Sequence, residues 1–274
     1  MARSNAGESV LSRAMRVLRL FTAGSPTLTV SEIARRADLP VATAHRIVGE
    51  LVELGALDRA EGKHVRMGYQ LWELASRSSR VLDLREVAMP FMEDLQTVVR
   101  QHTQIGVLEG TDVLYLERLS ARGAVQNITR IAGRLPIHAT SAGLVLLAHS
   151  PLELQEEVLA RPLRGYTART VTDPARLRSL LAQVRREGFV VAAQMISQAG
   201  TGVAAPVQGP AGEVVAALSI VIPAADPHPR TLVPALLAAA RGISRAMGAP
   251  TTDDDVLRSH GPRTPGAGRH RPSP

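Results

Sequence analysis

The run TVSEIARRADLPVATAHRIVGELVELGAL, residues 29–57, constrains this chain more than any other segment. Thr29 and Glu32 stand three apart, the spacing at which a Thr hydroxyl caps a free backbone N–H and a Glu reaches back to the Thr amide. A helix is therefore expected to begin near Val30, with Ile33, Ala34 and Ala37 inward and Arg35 and Arg36 outward. Asp38 and Leu39 form a turn, and Pro40 suits a first helical position, where its missing N–H has no partner to lose. In the second helix Ala44, Ile47, Val48 and Leu51 follow at offsets of three, four and seven and share one buried stripe. Ala42, Thr43, His45, Arg46 and Glu50 stay outside, and Gly55 ends the helix because it enters the left-handed region without a Cβ penalty.

Two short helices around a tight turn are the layout of a helix-turn-helix that reads duplex DNA. Its second helix offers N-terminal residues to base edges, which nominates Ala42, Thr43 and Arg46, with His45 at the margin. Arg35 and Arg36 face phosphates, and Arg46 grips a guanine, holds a phosphate or only pairs with Glu50 one turn on. After the helices, LDRAEGKHVRMG (57–68) places two strand-like pieces around Glu61-Gly62, with Arg59, Lys63, His64 and Arg66 around the tip. A β-hairpin in that place is a wing that lays cations along a phosphate backbone, although a solvated turn has the same composition. Lys63 is the only lysine of the chain. Upstream, Val10, Ala14, Val17, Leu18 and Phe21 recur at helical spacing and supply the third helix that so small a core requires.

A length of 274 residues accommodates a second domain, and from Leu84 the pattern changes to mixed helices and strands. A helix is expected through Val87, Phe91, Leu95 and Val98, with strands at 104–109, 112–119 and around 124–131. Helices follow at 141–149, 151–160 and 174–187, the last capped by Asp173, then strands near 188–193, 201–208 and 213–222 and a final helix at 230–247. Sequential hairpins among helices predict an α+β protein with a largely antiparallel sheet. The boundaries read as a disordered head (1–8), the winged helix-turn-helix (9–68), a connecting helix (69–83), a second domain (84–248) and a disordered Pro- and Gly-rich tail (249–274). Trp72, in the connecting helix, is expected to pack between modules.

Composition narrows the chemistry. The net charge of +7 and the twelve cations against eight acids in residues 1–80 suit a nucleic-acid binder without proving one. With no cysteine, disulfides, thiolate zinc sites and Cys nucleophiles are excluded. The eight His residues show no metal-ligand spacing, so no metal and no cofactor is expected. No membrane partner is expected either, since the start MARSNAGES lacks an apolar core and no run of about 18 apolar residues occurs; the expectation is cytoplasmic. Gly200-Thr201-Gly202 mimics a dinucleotide fingerprint but leads to Pro206 in a strand instead of opening a helix. Without a nucleophile elbow or phosphate loop, an enzyme remains only as the rival reading.

The segments SVLSRAMRVLRLF (9–21), LTVSEIARRADLPVATAHRIVGELVELG (28–55), RLPIHATSAGLVLLA (134–148) and GFVVAAQMISQAGTGVAAPVQGPAGEVVAALSIVIP (188–223), in this order and spacing, resemble the IclR family of transcriptional regulators over residues 8–248. The resemblance implies an N-terminal winged helix-turn-helix, all-α apart from a short β wing, a connecting helix and a C-terminal effector-binding domain of GAF-like fold, assembled as a homodimer or homotetramer on double-stranded operator DNA. Carried over by matching position, the effector pocket includes Asn127, Leu135, Ser141, Ala142, Ala192, Gly200, Gly202, Ser219 and Val221. The opening of a helix at Thr140-Ser141-Ala142 adds free N–H groups that attract a carboxylate, which brings Thr140 into the set, unless it is an ordinary cap. Ser219 adds a hydrogen bond unless its hydroxyl is satisfied within its own sheet, and His138 is expected to fix the loop. Gln194, Met195 and Leu144 stand where many members carry charge, and these departures favour an apolar or aromatic acid as effector. The expectation is a ligand-responsive repressor of a catabolic operon, released by a small organic or aromatic acid, with an activator of the same class as the alternative.

Overall fold

In the computed structural model, residues 8–22, 24–77 and 80–250 are described, so most of the expected head and of the tail lie outside the described residues. The chain divides into two compact units between Leu82 and Asp83.

The first unit follows its local signals closely. Helix α1 (Val10–Leu18) starts at Ser9, whose hydroxyl accepts from Ser12 N–H. Phe21 lies beyond its end, because the helix stops three residues short of the expected stripe. Helix α2 (Val30–Arg36) carries the full capping box, with Glu32 N–H donating to Thr29 Oγ1 at 3.3 Å and Thr29 N–H to Glu32 Oε2 at 2.8 Å. Asp38, at φ +50°, makes the turn. Helix α3 (Val41–Glu53) buries Ala44, Ile47, Val48 and Leu51. Pro40 is the residue before its first turn, at ψ 138°, one place earlier than expected. Gly55 then takes φ +66°, where a Cβ would meet the Gln70 side chain at 2.1 Å.

The wing has a strand that the sequence did not advertise. Strand β2 (Leu57–Arg59) and β3 (His64–Met67) form the expected hairpin, and β1 (Thr27–Thr29) joins the other edge of β3 in the order β1-β3-β2. Leu28 opposite Val65 brings that strand into a core with Val17, Ile33, Ile47, Val48 and Leu57. Burying each such aliphatic side chain stabilises by about 1.5–3 kcal/mol. The connecting helix α4 (Tyr69–Ser76) has no buried residue, and Trp72 is 70% exposed.

In the second unit six strands form one sheet, all neighbours antiparallel. They are β4 (His102–Glu109), β5 (Asp112–Ser120), β6 (Arg134–Pro136), β7 (Val190–Ala193), β8 (Gly200–Gln208) and β9 (Val214–Pro223), in the order β6-β5-β4-β9-β8-β7. One face packs on α6 (Ser141–Ala148), α7 (Leu152–Ala160) and α8 (Pro174–Glu187). The other packs on α5 (Arg80–Val99) and α9 (Val233–Ala246). Strand parity divides the side chains: Ile105, Val203, Leu218 and Ile220 face α5 and α9, while Tyr115, Ala192, Ala204 and Ala217 face α6.

The helix expected through Val87 to Val98 forms, with a shifted inner stripe, while one expected strand does not. The stripe of α5 is Leu84, Ala88, Met92, Leu95 and Val99, with Val87 and Phe91 at its margin and Val98 60% exposed. Both stripes fit helical spacing, and contact with the sheet selects between them. No strand forms at 124–131; residues 121–133 are irregular, and pairing resumes only at Arg134. Asn127 Oδ1 accepts from Thr129 N–H at 3.0 Å, a local bond that competes with a ladder, and Ala132 sits at φ +58°.

Candidate nucleic-acid interface and ligand cavity

The capping box sets where α2 begins and, through the turn at Asp38, how α3 projects. Glu32 is itself held as a carboxylate: Thr29 N–H, then the Thr29 hydroxyl, lower its pKa below the ordinary value. From α3, Ala42, His45 and Arg46 are exposed and Thr43 is half-buried. Arg46 lies on Glu50, Nη1 to Oε1 at 2.8 Å, with both side chains about half exposed at 54% and 47%. Arg35 and Arg36 are exposed on α2, where Arg36 donates to Ser25 Oγ at 3.1 Å. On the wing, Arg59, Lys63 and Arg66 are exposed, with Lys63 at φ +70° beside Gly62 in the tip. Arg66 approaches Asp58 at 3.9 Å and lies 5.6 Å over the Tyr69 ring. His64, half-buried, lines an open groove with Arg59 and Arg66. A row of guanidinium groups on exposed elements, one lysine at a loop tip and a helix with a small-residue start can follow phosphates while reading bases.

The second unit holds a small, partly open cavity lined by the α6 face of the sheet and by residues 126–129 of the 121–133 segment. Of the expected residues, Asn127, Leu135, Thr140, Ser141, Ala192, Gly200, Gly202 and Val221 line it. Parity explains the sheet members: Gly202 opposes both Ala192 and Val221, so the three share a face. Gly202 keeps the floor open, since a Cβ there would stand 2.5 Å from Ser141 Oγ.

Ala142 and Ser219 lie off the cavity wall. Ala142 is wholly buried in the core beneath α6. Ser219 is also fully buried, and its hydroxyl donates to the Gln104 carbonyl of the neighbouring strand at 3.5 Å, a local satisfaction within the sheet. Leu144 and Met195 are buried core residues, and Gln194, at φ +55°, donates to the Gln198 carbonyl. His138 is buried and bonds the Arg164 carbonyl at 3.0 Å, which ties down the loop before α6.

Sequence reasoning missed Gln104, Tyr115, Gln126, Ile128, Thr129, Ala139, Ile196 and Ser197 in this wall. A signal existed for Gln104, a polar residue inside the apolar run of β4, and for Tyr115, two places from Val113 on the same face. Tyr115 is buried, and that burial pushes its phenol pKa up, while hydrogen bonds with Thr140 and Thr129 oppose the rise. The Thr140 hydroxyl also accepts from Gly143 N–H at 3.1 Å and donates to the Pro136 carbonyl at 3.2 Å, so it is a cap before it is anything else.

The wall contains no Asp, Glu, Lys, Arg or His. Its polarity is supplied by amides, hydroxyls and the start of α6. Among the described residues, no group of three or more His, Asp or Glu is placed to hold a metal, and no helix is long and apolar enough to cross a membrane. Such a cavity suits a small ligand with an apolar body and a few hydrogen-bonding groups.

Residues 10–61 match the family profile of the IclR helix-turn-helix domain, and residues 77–245 match that of the bacterial transcriptional regulator IclR C-terminal domain. The chain is similar to the HTH-type transcriptional regulator XynR of Escherichia coli K12, at 31% identity over 216 residues covering 77% of this chain and 84% of XynR. It is also similar to the HTH-type transcriptional regulator BhcR of Paracoccus denitrificans, at 31% identity over 260 residues covering 92% of this chain and 91% of BhcR. Among solved structures, an IclR homolog from Microbacterium hydrocarbonoxydans complexed with 4-hydroxybenzoate superposes with a TM-score of 0.83 at 49% identity, covering 87% of this chain and 99% of that one.

Proposed function

The chain belongs to the IclR family of bacterial transcriptional regulators, with a DNA-binding helix-turn-helix and a ligand-binding C-terminal domain, and from that membership we propose that it is a repressor of a catabolic operon released by a small aromatic or organic acid. The observation that carries the choice of ligand is the cavity wall, which holds amides, hydroxyls and aliphatic groups but no ionised side chain. A buried charge in the ligand then has to be met by dipoles, and the start of α6 offers them to a single carboxylate. The 4-hydroxybenzoate complex of the Microbacterium relative, at 49% identity, supports an aromatic acid as the ligand.

On the DNA side, Ala42, Thr43 and Arg46 read bases with His45 beside them, and Arg35, Arg36, Arg59, Lys63 and Arg66 hold phosphates. Two copies meet a near-palindrome whose half-sites lie one helical turn, about 34–36 Å, apart. The exposed Val10, Leu11 and Met15 of α1 and Tyr69, Trp72 and Leu74 of α4 give apolar surface for a homodimer or homotetramer. Ligand shifts the population between an assembly whose readers match that spacing and one whose readers do not. The family's regulatory role and the absence of a catalytic constellation on the cavity wall favour a sensor over an enzyme.

The test is an electrophoretic shift of the gene's own upstream DNA by the full chain, titrated with 4-hydroxybenzoate. A complex that dissolves with ligand supports repression by release. A complex that persists while the ligand binds favours the activator reading.

A further inference from the structure

The cavity contains one side chain whose hydrogen-bonding sense is fixed by its neighbours. Thr129 N–H can only donate, and it donates to Asn127 Oδ1 at 3.0 Å. Asn127 therefore turns its Nδ2 toward Gln104, whose Oε1 accepts at 3.2 Å. Gln104 is 2% exposed, lines the cavity, and has no partner for its Nε2 among the described residues. An amide donor left without a protein partner beside a cavity can be met by an acceptor on a guest.

A second donor lies apart from the first. Ser141, 6% exposed at the first position of α6, has a hydroxyl without a partner among the described residues, and the Ser141 and Ala142 backbone N–H groups are likewise unmet. Gln104 on β4 aligns with Ser219 and Ala204, whereas Ser141 stands over Gly202, two residues along β8. Two strand spacings and two residues of rise separate those positions by roughly 12 Å between Cα atoms. That is the scale of one substituted ring, and Leu135, Ala192 and Val221 form apolar wall of the same cavity.

We propose that Gln104 is the specificity-determining residue of this cavity: its Nε2 donates to a hydrogen-bond acceptor on the ring of an aromatic monocarboxylate, at the end away from the carboxylate, which lies on Ser141 and the start of α6. The inference rests on the reading of this cavity as the effector site and adds the substituent that the site selects. Asn127 sets the direction of selection, because it holds the Gln104 carbonyl and leaves only the donor for the ligand. An ether oxygen or a phenol oxygen satisfies that donor, and an alkyl group does not.

Calorimetric titration of the full chain distinguishes these cases. 4-Methoxybenzoate and 4-ethylbenzoate are nearly the same size but differ in the acceptor, and the former is expected to bind about tenfold more tightly. In Gln104→Met the two bind alike. In Asn127→Asp, residue 127 accepts from both Thr129 N–H and Gln104, so the Gln104 amide reverses and presents its oxygen. The variant then favours 4-hydroxybenzoate, which can donate, over 4-methoxybenzoate, which cannot, by about tenfold more than the wild type does. Equal binding of the methoxy and ethyl compounds to the wild type overturns the assignment, as does an unchanged preference in Gln104→Met or in Asn127→Asp. If no benzoate binds the wild type at all, the effector reading of the cavity falls, and this inference falls with it.

Discussion

Replacing Arg46 by Ala separates its two roles, because the structure shows what the side chain does without DNA. Its guanidinium rests on Glu50 at 2.8 Å, on a surface where both groups are about half exposed. An exposed i,i+4 pair contributes roughly 0.3–0.5 kcal/mol, so Arg46→Ala should lower folding stability by no more than about 0.5 kcal/mol. Arg46 has to leave Glu50 to reach a base, and giving up so weak a pair is offset several-fold by a bidentate contact to guanine, worth about 1–3 kcal/mol. The variant should therefore bind operator about 5- to 100-fold more weakly at fixed salt, and random-sequence DNA only slightly more weakly. Glu50→Gln, which loosens the pair, should bind operator at least as tightly as the wild type. Fluorescence anisotropy on operator and scrambled duplexes measures all three. Equal losses on both duplexes in Arg46→Ala would refute base reading and leave Arg46 as a phosphate clamp.

Other perturbations follow from the same contacts. Thr29→Ala removes the cap of α2 and should cost about 0.5–2 kcal/mol by denaturant unfolding. The Glu32 contribution, whose folded pKa is lowered, is present above the ordinary Glu range and is lost as pH falls through the lowered value, so the wild-type advantage should shrink in acid. Arg85→Ala strips a 2.7 Å partner from the nearly buried Glu117 carboxylate and should destabilise by about 2 kcal/mol, with Glu117→Gln restoring part of the loss. Ser219→Ala should leave ligand affinity within about twofold, since a net hydrogen bond lost inside the sheet is weak and lies off the cavity wall. Terephthalate, which adds a second charge to a wall without cations, should bind at least about 100-fold more weakly than 4-methoxybenzoate in calorimetry.

What could be read in advance depended on the range of the interaction. The Thr29–Glu32 box and the Ala44, Ile47, Val48 and Leu51 stripe are local, and both are found where the spacing put them. Strand β1 is three residues long and exists because Leu28 meets Val65 nearly forty positions away, a pairing that no window around Leu28 contains. The 124–131 segment, expected as a strand, carries the β-branched Val125, Ile128, Thr129 and Ile131, but the Asn127 side chain bonds to Thr129 N–H and competes with the ladder. The same bond orients Gln104, so the error hid a feature of the cavity. Family resemblance named the sheet members of the wall, yet it included Ser219, whose hydroxyl turns to the adjacent strand, and passed over Gln104 and Tyr115, which required the register between β4, β5 and β9.

Footprinting of the gene's own upstream region with the purified full chain, with and without 4-hydroxybenzoate, bears most directly on the claim that one unit reads DNA while the other holds an aromatic acid. The expected record is a protected near-palindrome, its half-sites one helical turn apart, whose protection fades as ligand is added. No protected site in either condition, or a footprint indifferent to a ligand that calorimetry shows to be bound, would contradict it.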